Sequence, residues 1–338
     1  MRTARANRRT SAGVVLLLAI ALAACAPRLE PPGPSIAVPR FDGNTFLTAD
    51  GANLPVRTWA PDAVKPKAAL IALHGFNDYG HYFAEPGSYL AKKGIVSYAY
   101  DQRGFGRAPH RGLWPGVDAF ADDAAAFIRL VRARHPGLPV YLLGTSMGGS
   151  VALVAMTRAN PPKVNGLILT GPAVWARRTM PWYQRLALSI AAHTVPWMTV
   201  TGRGLDIKPS DNIAMLRKLS RDPLVIKETR IDAIHGLANL MDESLAVSKF
   251  LRAPALVLYG EKDEIIPPGP TFEMFRHIRR AANPDQKIAV YPHGYHMLLR
   301  DLQAATVLDD IAAWIVNRHA ALPSGADKRA LKIIAHKK

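Results

Sequence analysis

The chain has 338 residues, of which 49% are hydrophobic and 20% charged, a balance that buries a full core and excludes a disordered or fibrous chain. One large domain, with or without an insertion, is expected at this length. The formal charge of +17 favours anionic surfaces, but Lys and Arg are scattered without a nucleic-acid motif, so anionic lipid is the expected partner and nucleic acid is not.

The first segment follows its own grammar. Arg2, Arg5, Arg8 and Arg9 precede an apolar run from Val14 to Ala24, which ends at Cys25. This reads as a secretory signal peptide over 1–24, because eleven apolar residues are too few to cross a bilayer core of about 30 Å as a helix. Loss of those four arginines leaves a charge of +13. The ending Leu22-Ala23-Ala24-Cys25 resembles a bacterial lipobox, which implies cleavage before Cys25, its lipidation, and an exported, membrane-anchored lipoprotein of the bacterial cell envelope. The alternative is a free thiol after a cleaved signal. Cys25 is the only cysteine, so the core holds without an internal disulfide. Residues 25–40, with Pro27, Pro31, Pro32, Pro34 and Pro39, are expected to stay extended as a tether.

From Phe41 onward, short apolar runs alternate with helix-like stretches, the signature of a mostly parallel sheet covered by helices. Phe46–Thr48 and Leu54–Trp59, around Asp50-Gly51, read as a hairpin. Ala68–Leu73, Ile95–Tyr100, Val140–Leu143, Gly166–Thr170, Ala255–Tyr259 and Ile288–Tyr291 complete eight expected strands. Helices are predicted over Val117–Arg134, Ser150–Arg158 and Leu302–Arg318 from their apolar spacing and setting. Residues 172–240 show no convincing strand and are rich in Trp, Met, Leu and Arg, so they are expected to form an inserted helical cap between core segments 41–171 and 241–320. The tail, 321–338, carries Lys328, Arg329, Lys332, Lys337 and Lys338, and is expected either to add to lipid binding or to fray as a solubilising terminus.

Chemistry concentrates in Gly144-Thr145-Ser146-Met147-Gly148-Gly149, which follows a strand and precedes a helix. A serine on such a turn takes strained backbone angles, and Gly144 and Gly148 relieve the crowding around it. Its hydroxyl needs a base, and the base a carboxylate. With strand-end placement and the order Ser, acid, His, Asp263 after Ala255–Tyr259 fits the acid and His296 after Ile288–Tyr291 fits the base. Glu261, Glu264 and His293 are weaker competitors, His293 because it follows its strand too soon. Oxyanion donors are expected at the backbone N–H groups of Met147 and Phe76, the latter in the His74-Gly75-Phe76 turn, with His74 bracing that turn.

Together with Asp101-Gln102-Arg103-Gly104-Phe105-Gly106, Gly260-x-x-Asp263, Gly294-x-His296 and Trp314, these motifs resemble the monoacylglycerol lipase and lysophospholipase group of α/β-hydrolases, also described as serine aminopeptidase S33-like, over roughly Asp50 to Val316. The resemblance implies an α/β-hydrolase fold, with Asp101–Gly106 a structural loop. One departure is Arg107-Ala108, where the family loop often continues with Ser; it bears on the nearby pocket.

The expected activity is cleavage of carboxylic esters through an acyl-enzyme, with no metal or cofactor, since no zinc, phosphate-loop or dinucleotide motif is found. An apolar cap and the family likeness point to an acyl-ester lipid such as monoacylglycerol or lysophospholipid. A peptidase selecting free N-termini ranks second because its cap needs carboxylates, whereas this one carries Arg177, Arg178, Arg185, Arg203 and Lys208 with few acids, Asp206 and Asp211 among them. An acyltransferase ranks third. A catalytically silent envelope lipoprotein is the reading from a different class.

Overall fold

A computed structural model describes residues 26–336 apart from 63, 281 and 282. The signal peptide and Cys25 lie outside the described residues. The elements run β1 (Arg40–Asp42), β2 (Thr45–Leu47), β3 (Asn53–Trp59), β4 (Ala68–Leu73), α1 (Ala84–Lys92), β5 (Ile95–Tyr100), α2 (Val117–Arg134), β6 (Val140–Thr145), α3 (Met147–Thr157) and β7 (Gly166–Thr170). After them come α4 (Trp182–Thr194), β8 (Thr199–Val200), α5 (Ile213–Arg221), β9 (Thr229–Arg230), α6 (Ile231–Val247), β10 (Ala255–Gly260), α7 (Pro268–Arg280), β11 (Gln286–Tyr291), α8 (Ala304–Val316) and α9 (Ala326–His336).

Nine strands form one sheet in the order β1-β2-β3-β5-β4-β6-β7-β10-β11, antiparallel as far as the β3–β5 pairing and parallel from β5 onward. The parallel strands read as continuous apolar runs because both their faces are covered. Along β4, Ala69, Ile71 and Leu73 join one core cluster with α2, α3, α6 and α7, while Ala68, Leu70 and Ala72 join the other with α1 and α8. Trp314 of α8 packs so close to β7 that a Cβ on Gly166 would stand 2.4 Å from its ring.

Several expectations change. The sheet has nine strands, not eight, because Arg40–Asp42 pairs antiparallel with β2 as a short edge strand. The cap contains a small antiparallel pair, Thr199↔Arg230 and Val200↔Thr229, where no strand was expected. Its end lies near 230, not 240, since α6 packs on α3 as part of the core, with Leu240 and Leu245 fully buried. The tail does not fray: α9 lies on the edge strand β11 and buries Ala326, Ala330 and Ile334.

The expected tether is also laid down on the body from Leu29 onward. Leu29 bridges to Trp114, Glu30 donates its N–H to the Trp114 carbonyl, and Ile36 and Ala37 donate to the Ala49 carbonyl. Prolines keep the segment extended, while the residues between them retain the donors that an extended strand offers.

On the cap, Trp182, Tyr183, Leu186 and Ile190 of α4 are all more than half exposed, as is Trp197 just beyond it. Trp175, Met180 and Leu188 instead pack against the core.

Candidate active site

The C-terminal ends of β6, β7, β10 and β11 converge at one edge of the sheet, and the residues singled out in the sequence lie there. Ser146 occupies the turn between β6 and α3 with φ +52° and ψ −118°, an uncommon conformation for a residue with a side chain. Its N–H donates to the Thr170 carbonyl (3.1 Å), and its own carbonyl accepts from Ala173 (3.0 Å), so the end of β7 holds the strained turn from outside. The flanking glycines are required by close approach. A Cβ on Gly144 would stand 2.3 Å from the Gly148 carbonyl oxygen, and one on Gly148 would stand 2.3 Å from the Leu73 carbonyl oxygen.

Asp263 and His296 are brought together. His296 Nδ1 lies 2.9 Å from Asp263 Oδ2, and both residues are buried. The other carboxylate oxygen accepts two backbone N–H groups, from Ile265 and Ile266, each at 2.9 Å. The carboxylate is thus oriented before it meets the ring, and the imidazole is held with Nδ1–H donating and Nε2 free to accept a proton. Gly171, directly after β7, takes φ +49°, a conformation that favours glycine, and lies against the pair: a Cβ there would be 3.4 Å from both Asp263 Oδ2 and His296 Nδ1. The competitors are engaged elsewhere. Glu261 pairs with Arg329, Glu264 accepts from the Lys208 N–H, and His293 is exposed.

The turn carrying Phe76 lies beside Ser146, since a Cβ on Gly75 would be 3.3 Å from Ser146 Cβ and 3.9 Å from its Oγ. Met147 opens α3, so its N–H belongs to the first turn, which has no acceptor within the helix. His74 braces as expected. Fully buried, it accepts from the Gln102 N–H on Nε2 (2.9 Å) and faces the Gly75 carbonyl with Nδ1 (2.8 Å), while the Gln102 side-chain amide donates from its Nε2 to the His74 carbonyl (3.0 Å). Burial lowers the His74 pKa and keeps the ring neutral, as this pattern of one donor and one acceptor requires. Asp101 ties the same region together by accepting from Gly80 N–H (2.9 Å) and Arg107 N–H (3.0 Å). The departure at Arg107 is therefore absorbed: its backbone does the loop's work and its side chain points to solvent.

Residues 64–303 match the family described as serine aminopeptidase, S33. The chain belongs to this family. Among curated relatives it is similar to the monoacylglycerol lipase of Mycolicibacterium smegmatis, 26% identical with 81% of this chain and 96% of the relative covered. It is also similar to the monoglyceride lipase of Mus musculus, 28% identical with 85% and 95% covered. Among solved structures, a soluble variant of the monoglyceride lipase of Saccharomyces cerevisiae in complex with a substrate analog superposes with a TM-score of 0.67 at 21% identity, covering 86% of this chain and 99% of that one. The shared fold is the α/β-hydrolase fold.

Sequence reading of this S33-family hydrolase missed the supports of the histidine loop. Asp301 is buried and accepts from the Tyr295 N–H (2.8 Å) and from Ser210 Oγ of the cap (2.6 Å). Desolvation raises its pKa, against the lowering effect of those two bonds. Arg300 pairs with Asp78 (2.7 Å), linking the histidine loop to the turn that carries Phe76. No local period marks such pairs, because each partner comes from a distant loop.

Proposed function

We propose that Ser146, Asp263 and His296 form a catalytic triad that hydrolyses carboxylic esters of lipids, with monoacylglycerol or lysophospholipid as the substrate class. The observation that carries this reading is the oriented Asp263–His296 pair at 2.9 Å beside a serine held at φ +52°. Ser146 Oγ attacks the ester carbonyl while His296 Nε2 takes its proton, and Asp263 stabilises the imidazolium. The oxyanion that develops is met by the N–H groups of Phe76 and Met147. His296 then protonates the departing alcohol, and water activated by the same ring releases the acyl group.

The lipid substrate class is supported by the relatives, named as monoacylglycerol and monoglyceride lipases, and by the exposed apolar face of α4, which suits an aggregated substrate. Lipidation of Cys25, supported by the sequence around it, would hold the enzyme at a membrane of the cell envelope; radiolabelled palmitate should enter the full-length protein and not its Cys25→Ser variant.

The test is turnover of monoacylglycerols, lysophospholipids, p-nitrophenyl esters and aminoacyl anilides by protein lacking residues 1–25 and by its Ser146→Ala variant. Lipid-ester cleavage lost by on the order of 10⁶-fold on substitution is the expected result. Cleavage of anilides alone would transfer the triad to a peptidase, and short esters turned over with no preference for longer acyl chains would overturn the lipid assignment.

A further inference from the structure

His296 is bracketed by the cap. The residue before it, Tyr295, donates its N–H to Asp301, whose second oxygen is held by Ser210; the residue after it, Met297, donates its N–H to the Pro209 carbonyl (3.0 Å). The same cap segment makes two more bonds to this loop, Leu302 N–H to Asp211 Oδ1 (2.9 Å) and Asn212 Nδ2 to the Arg300 carbonyl (3.0 Å). Ser210 is fully buried and Asp301 is 3% exposed, so the central bond is shielded from competing water. The cap residues before this segment, 201–208, are exposed throughout, with Lys208 N–H bonded to Glu264 (2.6 Å), so 209–212 is the more buried stretch by which this part of the cap grips the core.

We propose that Asp301 and Ser210 are positioning residues for His296, so that the seating of cap segment 209–212 sets the alignment of the catalytic base. This rests on the triad reading above. Loss of the Ser210 hydroxyl leaves Asp301 Oδ1 buried without its partner and so loosens the carboxylate whose other oxygen holds the Tyr295 N–H. Misplacement of a reacting group by 1 Å costs about 100-fold, and partial release of one flank should cost on the order of tenfold in kcat.

A segment that merely held the cap in place would act differently. It would raise KM for long acyl chains and leave small esters and the intrinsic reactivity of the serine untouched. The experiment therefore compares Ser210→Ala, Asp301→Ala and Asp301→Asn with the parent on p-nitrophenyl acetate and on a long-chain monoacylglycerol, and measures the rate of labelling by a fluorophosphonate. Both alanine variants should lose about tenfold or more in kcat on both esters and label more slowly by a similar factor. Asp301→Asn should recover most of the activity, since its amide oxygen accepts from Tyr295 and its NH₂ donates to the Ser210 oxygen. Folding of each variant is checked by thermal melting, and Ser210→Ala serves if Asp301→Ala does not fold. Normal kcat and labelling in Ser210→Ala, or a change confined to KM, would overturn the positioning role. Persistent turnover in Ser146→Ala would instead overturn the triad itself.

Discussion

Replacing Asp263 by Asn should abolish most of the activity while leaving the fold in place, and the reason lies in the two backbone donors on its far side. Oδ1 accepts the N–H groups of Ile265 and Ile266 at 2.9 Å each. An amide at this position keeps its oxygen there, since turning it round would forfeit two hydrogen bonds worth about 1 to 1.5 kcal/mol each, a preference of roughly 30- to 160-fold. The NH₂ group then faces His296 Nδ1, which must become an acceptor, and the proton moves to Nε2. A ring protonated on Nε2 cannot take the Ser146 proton, and the expected loss in kcat is on the order of 10⁴. The assay is steady-state hydrolysis of p-nitrophenyl butyrate with protein concentration set by absorbance, paired with a thermal melt. A kcat within tenfold of the parent, with an unchanged melting temperature, would refute the tautomer argument and with it the assignment of Asp263 as the acid.

Other outcomes follow from the same geometry. Gly148→Ala drives a Cβ to 2.3 Å from the Leu73 carbonyl, which as backbone cannot rotate away, so activity should fall at least about 100-fold or the protein should fail to accumulate; near-normal kinetics would be the contrary result. Burial raises the Asp123 carboxyl from 3.8 to about 6 beside Arg103, so its stabilising contribution is full below pH 3.8 and is lost as pH rises through 6. Asp123→Asn should accordingly gain on the parent by about 2 to 3 kcal/mol in urea unfolding between pH 4 and pH 7, and an unchanged difference would count against it. Arg103→Ala, which strands both Asp50 and Asp123, should cost about 3 to 5 kcal/mol in the same assay. Removing residues 326–338 uncovers β11 and should cost about 2 kcal/mol or more, whereas a frayed tail would cost nothing.

The legible parts of this chain are those whose cause is local. Six parallel strands announced themselves as apolar runs because a strand covered on both faces has no polar side to alternate with. Ser146 announced itself through Gly144 and Gly148, which are forced by contacts within a single turn, and Asp263 and His296 through their positions just past strands. The parts that were not legible depend on partners far along the chain. The two-residue strands β8 and β9 exist because Thr199 and Arg230 meet across thirty residues of cap, and although Thr199-Val200 is β-branched, a dipeptide is too short for its propensity to mark a strand. The tail reads as a basic terminus, yet Ala326, Ala330 and Ile334 fall at helical spacing on one face, a pattern too short and too small to outweigh its lysines.

The three loops that meet at the site differ in how much of their own support they carry. Ser146 sits in a turn with no slack, fixed by β6 on one side and α3 on the other. Asp263 lies in a seven-residue connection between Gly260 and Pro268 and braces itself through the N–H groups of Ile265 and Ile266. His296 lies in a twelve-residue connection between Tyr291 and Ala304, the longest of the three, and the one that must hold a ring in line with two other groups. A connection of that length has more conformations to lose on ordering, so its stability depends on contacts made outside it. Those contacts are Arg300 with Asp78 in the turn that carries Phe76, and Asp301, Met297 and Leu302 with the cap. His296, the proposed base, thus sits in a loop that braces itself in part, through the Tyr295 N–H on Asp301, and whose alignment is completed by the proposed oxyanion turn and by the cap.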